Sequence, residues 1–188
     1  MRVIAGQARG RRLRTPKGRE LRPTADRVKE ALFNILPHDL SGRRVLDLFA
    51  GTGNLGLEAL SRGAAGAVFV DIARTATAVI EENVQTLGYG ASARVLTAPV
   101  FKAVRSLARC GERFDVILLD PPYEHGLAGE ALKEIAKEGV LAEAGVVVAE
   151  HSVRDRLEEQ YGALVLSDRR RYGDTALSFY RGGERVEE

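Results

Sequence analysis

Gly51-Thr52-Gly53-Asn54-Leu55-Gly56 fits the spacing G-x-G-x-x-G and stands between an apolar run, RRVLDLF (43–49), and the helix-like NLGLEALSR (54–62). Gly51 and Gly53 allow a sharp turn and close approach to a ligand, and Gly56 allows a helix to pack tightly. Asp71 follows Gly51 by 20 residues, at the end of a second apolar run. A carboxylate there can accept hydrogen bonds from both hydroxyls of a ribose, so the ligand is of nucleoside type. Asp47, four residues before Gly51, narrows it. A dinucleotide rests its pyrophosphate on the helix N-terminus, where a nearby carboxylate opposes the charge. S-Adenosylmethionine instead carries an α-ammonium and a sulfonium and no phosphate, so the electrostatics favour it over NAD.

A second constellation is Asp120-Pro121-Pro122-Tyr123. Two prolines stiffen the backbone and remove two N–H donors, leaving carbonyls free to face a cleft. Asp120 and the Pro121 carbonyl can accept both protons of an exocyclic amine while Tyr123 stacks on the base that carries it, a contact worth roughly 1–3 kcal/mol. Acceptors on both protons favour an sp³-like nitrogen, whose lone pair is then free to attack a methyl sulfonium. The tetrad alone serves guanine N2 and adenine N6 equally. No general base is needed, because the amine can lose its proton to water after transfer. Cys110 stands alone, and His38, His125 and His151 are scattered, so no metal site is expected.

The elements that must hold these residues alternate. Strands are expected at 43–49, 67–72, 93–98, 114–120 and 145–151, and helices at 54–62, about 74–87 (stopped by Gly88) and about 127–138 (stopped by Gly139). An earlier helix begins at Pro23-Thr24 and runs toward Pro37, with Val28, Ala31, Leu32, Ile35 and Leu36 at helical spacing. Residues 163–181 read as two strands with a turn near Gly173-Asp174. Repeated β–α units imply an α/β fold, a mostly parallel sheet covered on both faces, closed by an antiparallel hairpin. Residues 1–22 form a basic N-terminal arm or small hairpin, and 23–188 the main domain.

The 188 residues suffice for one compact domain. Their net charge of +2 is unevenly spread. Residues 1–30 hold ten basic and three acidic residues, net +7, and the remaining 158 hold 18 and 23, net −5. A basic arm on an acidic body points to a polyanion, with nucleic acid the first candidate. Arg9, Arg11, Arg12, Arg14, Lys17 and Arg19 are the expected phosphate contacts, and Arg169-Arg170-Arg171 either extend that face or protect an edge strand. No apolar run approaches the ~20 residues of a membrane span, and MRVIAGQARGRRLR, basic but without an apolar segment after it, is not expected to act as a secretory signal. A cytoplasmic monomer is expected.

In this order, RVIAGQARGRRLRTP, LRPTADRVKEALFNIL, DLFAGTGNLGLEALSRGA, LLDPPY and the closing RRYGDTALSFYR resemble the RsmD family of class I S-adenosylmethionine-dependent methyltransferases. The resemblance implies a seven-stranded Rossmann-like fold. It also implies methylation of guanine N2 in 16S ribosomal RNA, of the guanine-966 type, on assembled or assembling 30S subunits. By it, Asp47, Phe49, Gly51, Thr52 and Gly53 hold the methionine part of the cofactor, Asp71 takes the ribose and Ile72 packs on the adenine. Asp120 to Tyr123 form the base pocket. The helix opened by Pro23-Thr24 closes the cofactor site, with Arg22, Thr24 or Arg27 near the methionine carboxylate or the RNA. Family members commonly carry Asp or Asn after the third strand; this chain has Pro99, which leaves the adenine to backbone groups near Val100. Three rival readings remain: adenine-N6 methylation of DNA or RNA, an NAD-linked oxidoreductase, and an RNA-binding assembly factor without catalysis.

Overall fold

The computed structural model describes residues 1–15, 23–123 and 126–183, with the side chains of 23–25 left aside. Five short apolar runs form parallel strands: β1 (Arg44–Leu48), β2 (Gly66–Asp71), β3 (Ala93–Thr97), β4 (Phe114–Leu119) and β5 (Leu141–Ser152). Three more follow, β6 (Gln160–Tyr161), β7 (Leu164–Tyr172) and β8 (Thr175–Gly182). They make one sheet of order β3-β2-β1-β4-β5-β8-β7-β6. β8 runs antiparallel to both β5 and β7, and β6 is antiparallel to β7.

The sheet therefore has eight strands, not the expected seven. The addition is β6, which is too short to carry an alternating pattern and exists by pairing Gln160 and Tyr161 with Val165 and Leu164. β5 also starts earlier than expected, at Leu141, and a register shift between Phe114 and Val116 absorbs the extra length.

Helices α1 (Pro23–Ile35), α2 (Asn54–Ser61), α3 (Arg74–Leu87), α4 (Val100–Arg109) and α5 (Leu127–Glu138) cover the sheet. Strand residues alternate between two cores. Val45, Phe69, Val116 and Val148 face Leu32, Phe33, Leu57 and Ile80 of α1–α3. Leu46, Val70, Ile117 and Ala149 face Val104, Leu107, Leu132 and Ile135 of α4 and α5. Each such large side chain contributes roughly 1.5–3 kcal/mol by leaving water, which is why the central strands are apolar on both faces. α4 was not among the expected helices, although Val100, Ala103, Val104 and Leu107 recur at i, i+3, i+4 and i+7 and are all buried.

Residues 1–15 fold back as a small hairpin, with an isolated bridge between Arg2 and Arg12 and a Val3 N–H bond to the Arg11 carbonyl at 2.9 Å. Its Val3, Ala8 and Leu13 enter the same core as α1–α3. The hairpin is pinned by Glu58, fully buried in α2, whose carboxylate accepts the Ile4 and Ala5 N–H groups at 2.8 and 3.0 Å. Glu58 also pairs with buried Lys29 at 3.2 Å and with Arg62 at 3.0 Å. The boundary expected at residue 22 lies outside the described residues.

Candidate active site

The last fully paired rung across the centre of the sheet is Val70, Leu48, Leu119 and Ala149. One residue further on stand Asp71, Phe49, Asp120 and Glu150. Three carboxylates thus lie level with one another at the C-terminal edge of the parallel strands, where open α/β sheets bind ligands, Glu150 on a β5 that continues to Ser152 against β8.

β1 exits through Phe49, the one described non-glycine residue with positive φ (60°). A bulky side chain in that region is strained, and such strain concentrates at ligand sites. The turn continues through Gly53 at φ 76°, which opens α2 in the left-handed conformation, with its N–H on the Ala50 carbonyl at 2.7 Å. Gly56 permits close approach: a Cβ there would lie 2.3 Å from Phe69 Cε1 and 3.0 Å from Asp47 Oδ2. That proximity lets the Gly56 N–H donate to Asp47 Oδ2 at 2.8 Å. Asp47 is 1% exposed. Burial, opposed by the Gly56 hydrogen bond and reinforced by repulsion from Asp71, pushes its carboxyl up to about 8.

Asp71 braces the loop from β2, accepting the Gly51 N–H on Oδ2 and the Ala73 N–H on Oδ1, each at 2.9 Å. Each oxygen retains a second lone pair for an outside donor. Ile72 beside it is an apolar side chain left 69% exposed. Pro99 stands at the N-cap of α4, and Val100 buries its side chain in the core of α4 and α5, so neither offers a polar side chain there. The Thr52 side chain is turned elsewhere: it is buried, with its hydroxyl 3.4 Å from Met1 Sδ and its carbonyl accepting from Asn83 Nδ2 at 3.2 Å.

In the tetrad, the Asp120 N–H holds the Leu48 carbonyl at 3.4 Å. The Tyr123 hydroxyl donates to Glu150 Oε1 at 2.9 Å and lies 3.1 Å from Thr175 Oγ1. Burial and the neighbouring Glu150 raise the Tyr123 phenol well above its ordinary value. The ring is therefore held by β5 and β8, not only by the turn that carries it. Sequence reading missed Glu150 and Thr175, because nothing in GVVVAEH or GDTAL marks them apart from strand residues.

The basic residues divide. Arg9, Arg12 and Arg27 are exposed, whereas Arg11 donates to the Thr86 carbonyl at 2.9 Å and Arg14 pairs with Glu82 at 2.8 Å. Arg169, Arg170 and Arg171 bond within the chain, to Ser178 and Leu157, Asp168, and Gly173 respectively. Lys17, Arg19, Arg22 and His125 lie outside the described residues, as does the side chain of Thr24. His151 is a buried structural residue, its ring nitrogens on the Ser152 carbonyl and Ser178 Oγ at 2.8 and 2.9 Å. No described group of His, Cys, Asp or Glu is placed to hold a metal, and no described helix is long and apolar enough to cross a membrane.

A family model described as "Conserved hypothetical protein 95" matches residues 1–181. Ribosomal RNA small subunit methyltransferase D of Escherichia coli is 40% identical over 157 residues, covering 84% of this chain and 77% of that protein. The chain belongs to the RsmD family. Within it, Bacillus subtilis YlbH is 39% identical over 96% of this chain and 98% of its own length. The solved structure of Escherichia coli yhhF superimposes with a TM-score of 0.86 at 36% identity, covering 98% of this chain and 99% of that one. An RsmD-family chain thus carries a strained glycine turn, a buried acid and the Asp120–Tyr123 tetrad at one strand edge.

Proposed function

We propose that the protein transfers the methyl group of S-adenosylmethionine to the exocyclic N2 of a guanine in 16S ribosomal RNA. One observation carries the reading: Asp47, Asp71 and Asp120 stand at the C-terminal end of the parallel strands, the first buried beneath the glycine turn with no cation paired to it among the described residues. A ligand bearing positive charge and no phosphate relieves the burden on Asp47, while a pyrophosphate would add to it. This disfavours the NAD-linked alternative. The substrate class follows the Escherichia coli relative, named as a small-subunit ribosomal RNA methyltransferase.

When bound, S-adenosylmethionine supplies an electrophilic methyl group on sulfur. Asp47, the strained Phe49 turn and the backbone at Gly51 and Gly53 face its methionine part. Asp71 accepts from the ribose hydroxyls, exposed Ile72 covers the adenine and the backbone at Val100 borders it. Asp120 and the Pro121 carbonyl hold the two protons of the target amine and direct its lone pair outward. Tyr123, fixed by Glu150 and Thr175, stacks on the base, and Pro122 keeps the turn rigid. The nitrogen gains the methyl group and loses one proton to water. α1, with Arg27 and Thr24, closes the cofactor side. The arginines of residues 1–22 hold RNA phosphates while the domain of residues 23–188 does the chemistry, acting as a monomer on the 30S subunit or its precursor.

The test supplies labelled S-adenosylmethionine with small subunits lacking the modification, with naked 16S RNA and with DNA, and identifies the product nucleoside by mass. N2-methylguanosine in RNA is expected. N6-methyladenosine, or label confined to DNA, overturns the assignment; tight RNA binding with no label anywhere leaves an assembly factor instead.

A further inference from the structure

We infer that Glu150 selects guanine over other bases, its carboxylate accepting the N1–H of the target base beside the amine held by Asp120. The inference rests on the guanine-N2 reading above. Asp120 and Glu150 each lie one residue beyond the paired Leu119 and Ala149 on adjacent parallel strands. β4 ends there, whereas β5 continues to Ser152 with Glu150 paired to Leu177 of β8, so Asp120 leaves the sheet beside a Glu150 still held in it, with strand backbones about 4.8 Å apart. Two acceptors at that spacing can converge on two neighbouring donors.

Guanine offers such a pair, N1–H and the N2 amine, on its Watson–Crick edge. Adenine offers an amine beside an N1 lone pair, which a carboxylate repels. The Tyr123 bond ties the pocket together: the ring that stacks on the base and the carboxylate that reads its edge are joined at 2.9 Å through Oε1. Among the described residues Tyr123 is the one donor to Glu150, and no cation pairs with it, so Oε2 keeps its accepting capacity. Burial pushes this carboxyl above its ordinary value, and the Tyr123 hydrogen bond offsets that only in part. A partly buried acid without a cation is an expensive feature for a fold and a useful one for a donor on a substrate. Sites that hydrogen-bond a substrate group reject analogues lacking it by large factors.

The test uses 16S RNA, or small subunits reconstituted from it, carrying either guanine or 2-aminopurine at the modified position. 2-Aminopurine keeps the exocyclic amine but presents a lone pair at N1. Wild-type protein is expected to favour guanine by about 100-fold or more in kcat/KM. Glu150→Gln, whose amide can donate to that lone pair, should lose most guanine transfer and retain or gain 2-aminopurine transfer, narrowing the preference at least tenfold. Thermal melting and S-adenosylmethionine affinity check that the variant is folded. An equal fall on both substrates reduces Glu150 to a support for Tyr123 and overturns the inference. Equal use of both bases by the wild type overturns it without any variant. Absence of N2-methylguanosine from the wild-type product overturns the underlying reading instead.

Discussion

Asp47, the proposed cofactor contact, shows how a buried acid burdens the fold that carries it. Its folded carboxyl, at about 8, holds a proton that the unfolded chain releases near the ordinary value of about 3.9. Between those values the folded state binds more protons, so stability falls as pH rises from about 4 to about 8 and is flat beyond. Asp47→Asn keeps an oxygen for the Gly56 N–H and removes this slope. Its melting temperature should exceed that of the wild type at pH 7, with the difference closing toward pH 4. The same variant should bind S-adenosylmethionine about 10- to 100-fold more weakly, the loss of one charged hydrogen bond. Calorimetry in buffers of different ionisation enthalpy should show proton release on cofactor binding near pH 7 by the wild type alone. An unchanged pH slope in the variant would place the titrating group elsewhere. Asp120 is expected to behave oppositely: Asp120→Ala should abolish transfer and leave cofactor affinity within about twofold, since its proposed partner is the amine and not the methionine. Full activity in that variant refutes its role.

At the scale of elements, the N-terminal hairpin depends on a buried cluster that local pattern could not disclose. Glu58 occupies the apolar stretch NLGLEALS, and its partners Ile4, Ala5 and Lys29 are 29 to 54 residues distant in sequence. Periodicity reports which face of a helix is buried, not which distant cation neutralises an acid on that face. The same limit hid Glu150, whose meaning comes from Tyr123 on another strand exit. By contrast, the glycine turn, Asp71 and the tetrad were legible because each is local: a strand end, a turn and a fixed spacing. α4 was legible too, in its i, i+3, i+4, i+7 apolar residues, whereas the two-residue β6 exists only through pairing. Glu58→Ala should therefore be severe. It strands the Lys29 ammonium, 1% exposed, and frees two hairpin N–H groups, a loss of about 3–5 kcal/mol by comparison with other broken buried pairs. Chemical denaturation would measure it, and limited proteolysis should cut first within residues 1–15. A loss below about 1 kcal/mol would mean that water replaces the cluster readily.

For the whole molecule, the charge division found in sequence acquires a geometry. Asp71, Asp120 and Glu150 gather at one strand edge, above the buried Asp47, and acids there oppose the approach of RNA. In the proposed function, the +7 carried by residues 1–30 would offset that repulsion as a base reaches the tetrad. Structure sorts the arginines available for this. Arg11, Arg14 and Arg169–Arg171 have acceptors within the chain, while Arg9 and Arg12 stand exposed on the hairpin. Phosphate contacts release counterions, so affinity for RNA should fall linearly in a double-logarithmic plot against salt. Replacing both Arg9 and Arg12 by Ala should reduce that slope by about 1.4–1.8, corresponding to two lost phosphate contacts. Neither side chain is among the proposed cofactor contacts, so S-adenosylmethionine affinity should not change, and saturating RNA should restore the rate of transfer. Equilibrium binding from low to moderate salt separates the alternatives. An unchanged slope would assign RNA attraction to basic residues beyond the hairpin, and a slope unchanged alongside a lower saturated rate would make the hairpin a support for the glycine turn.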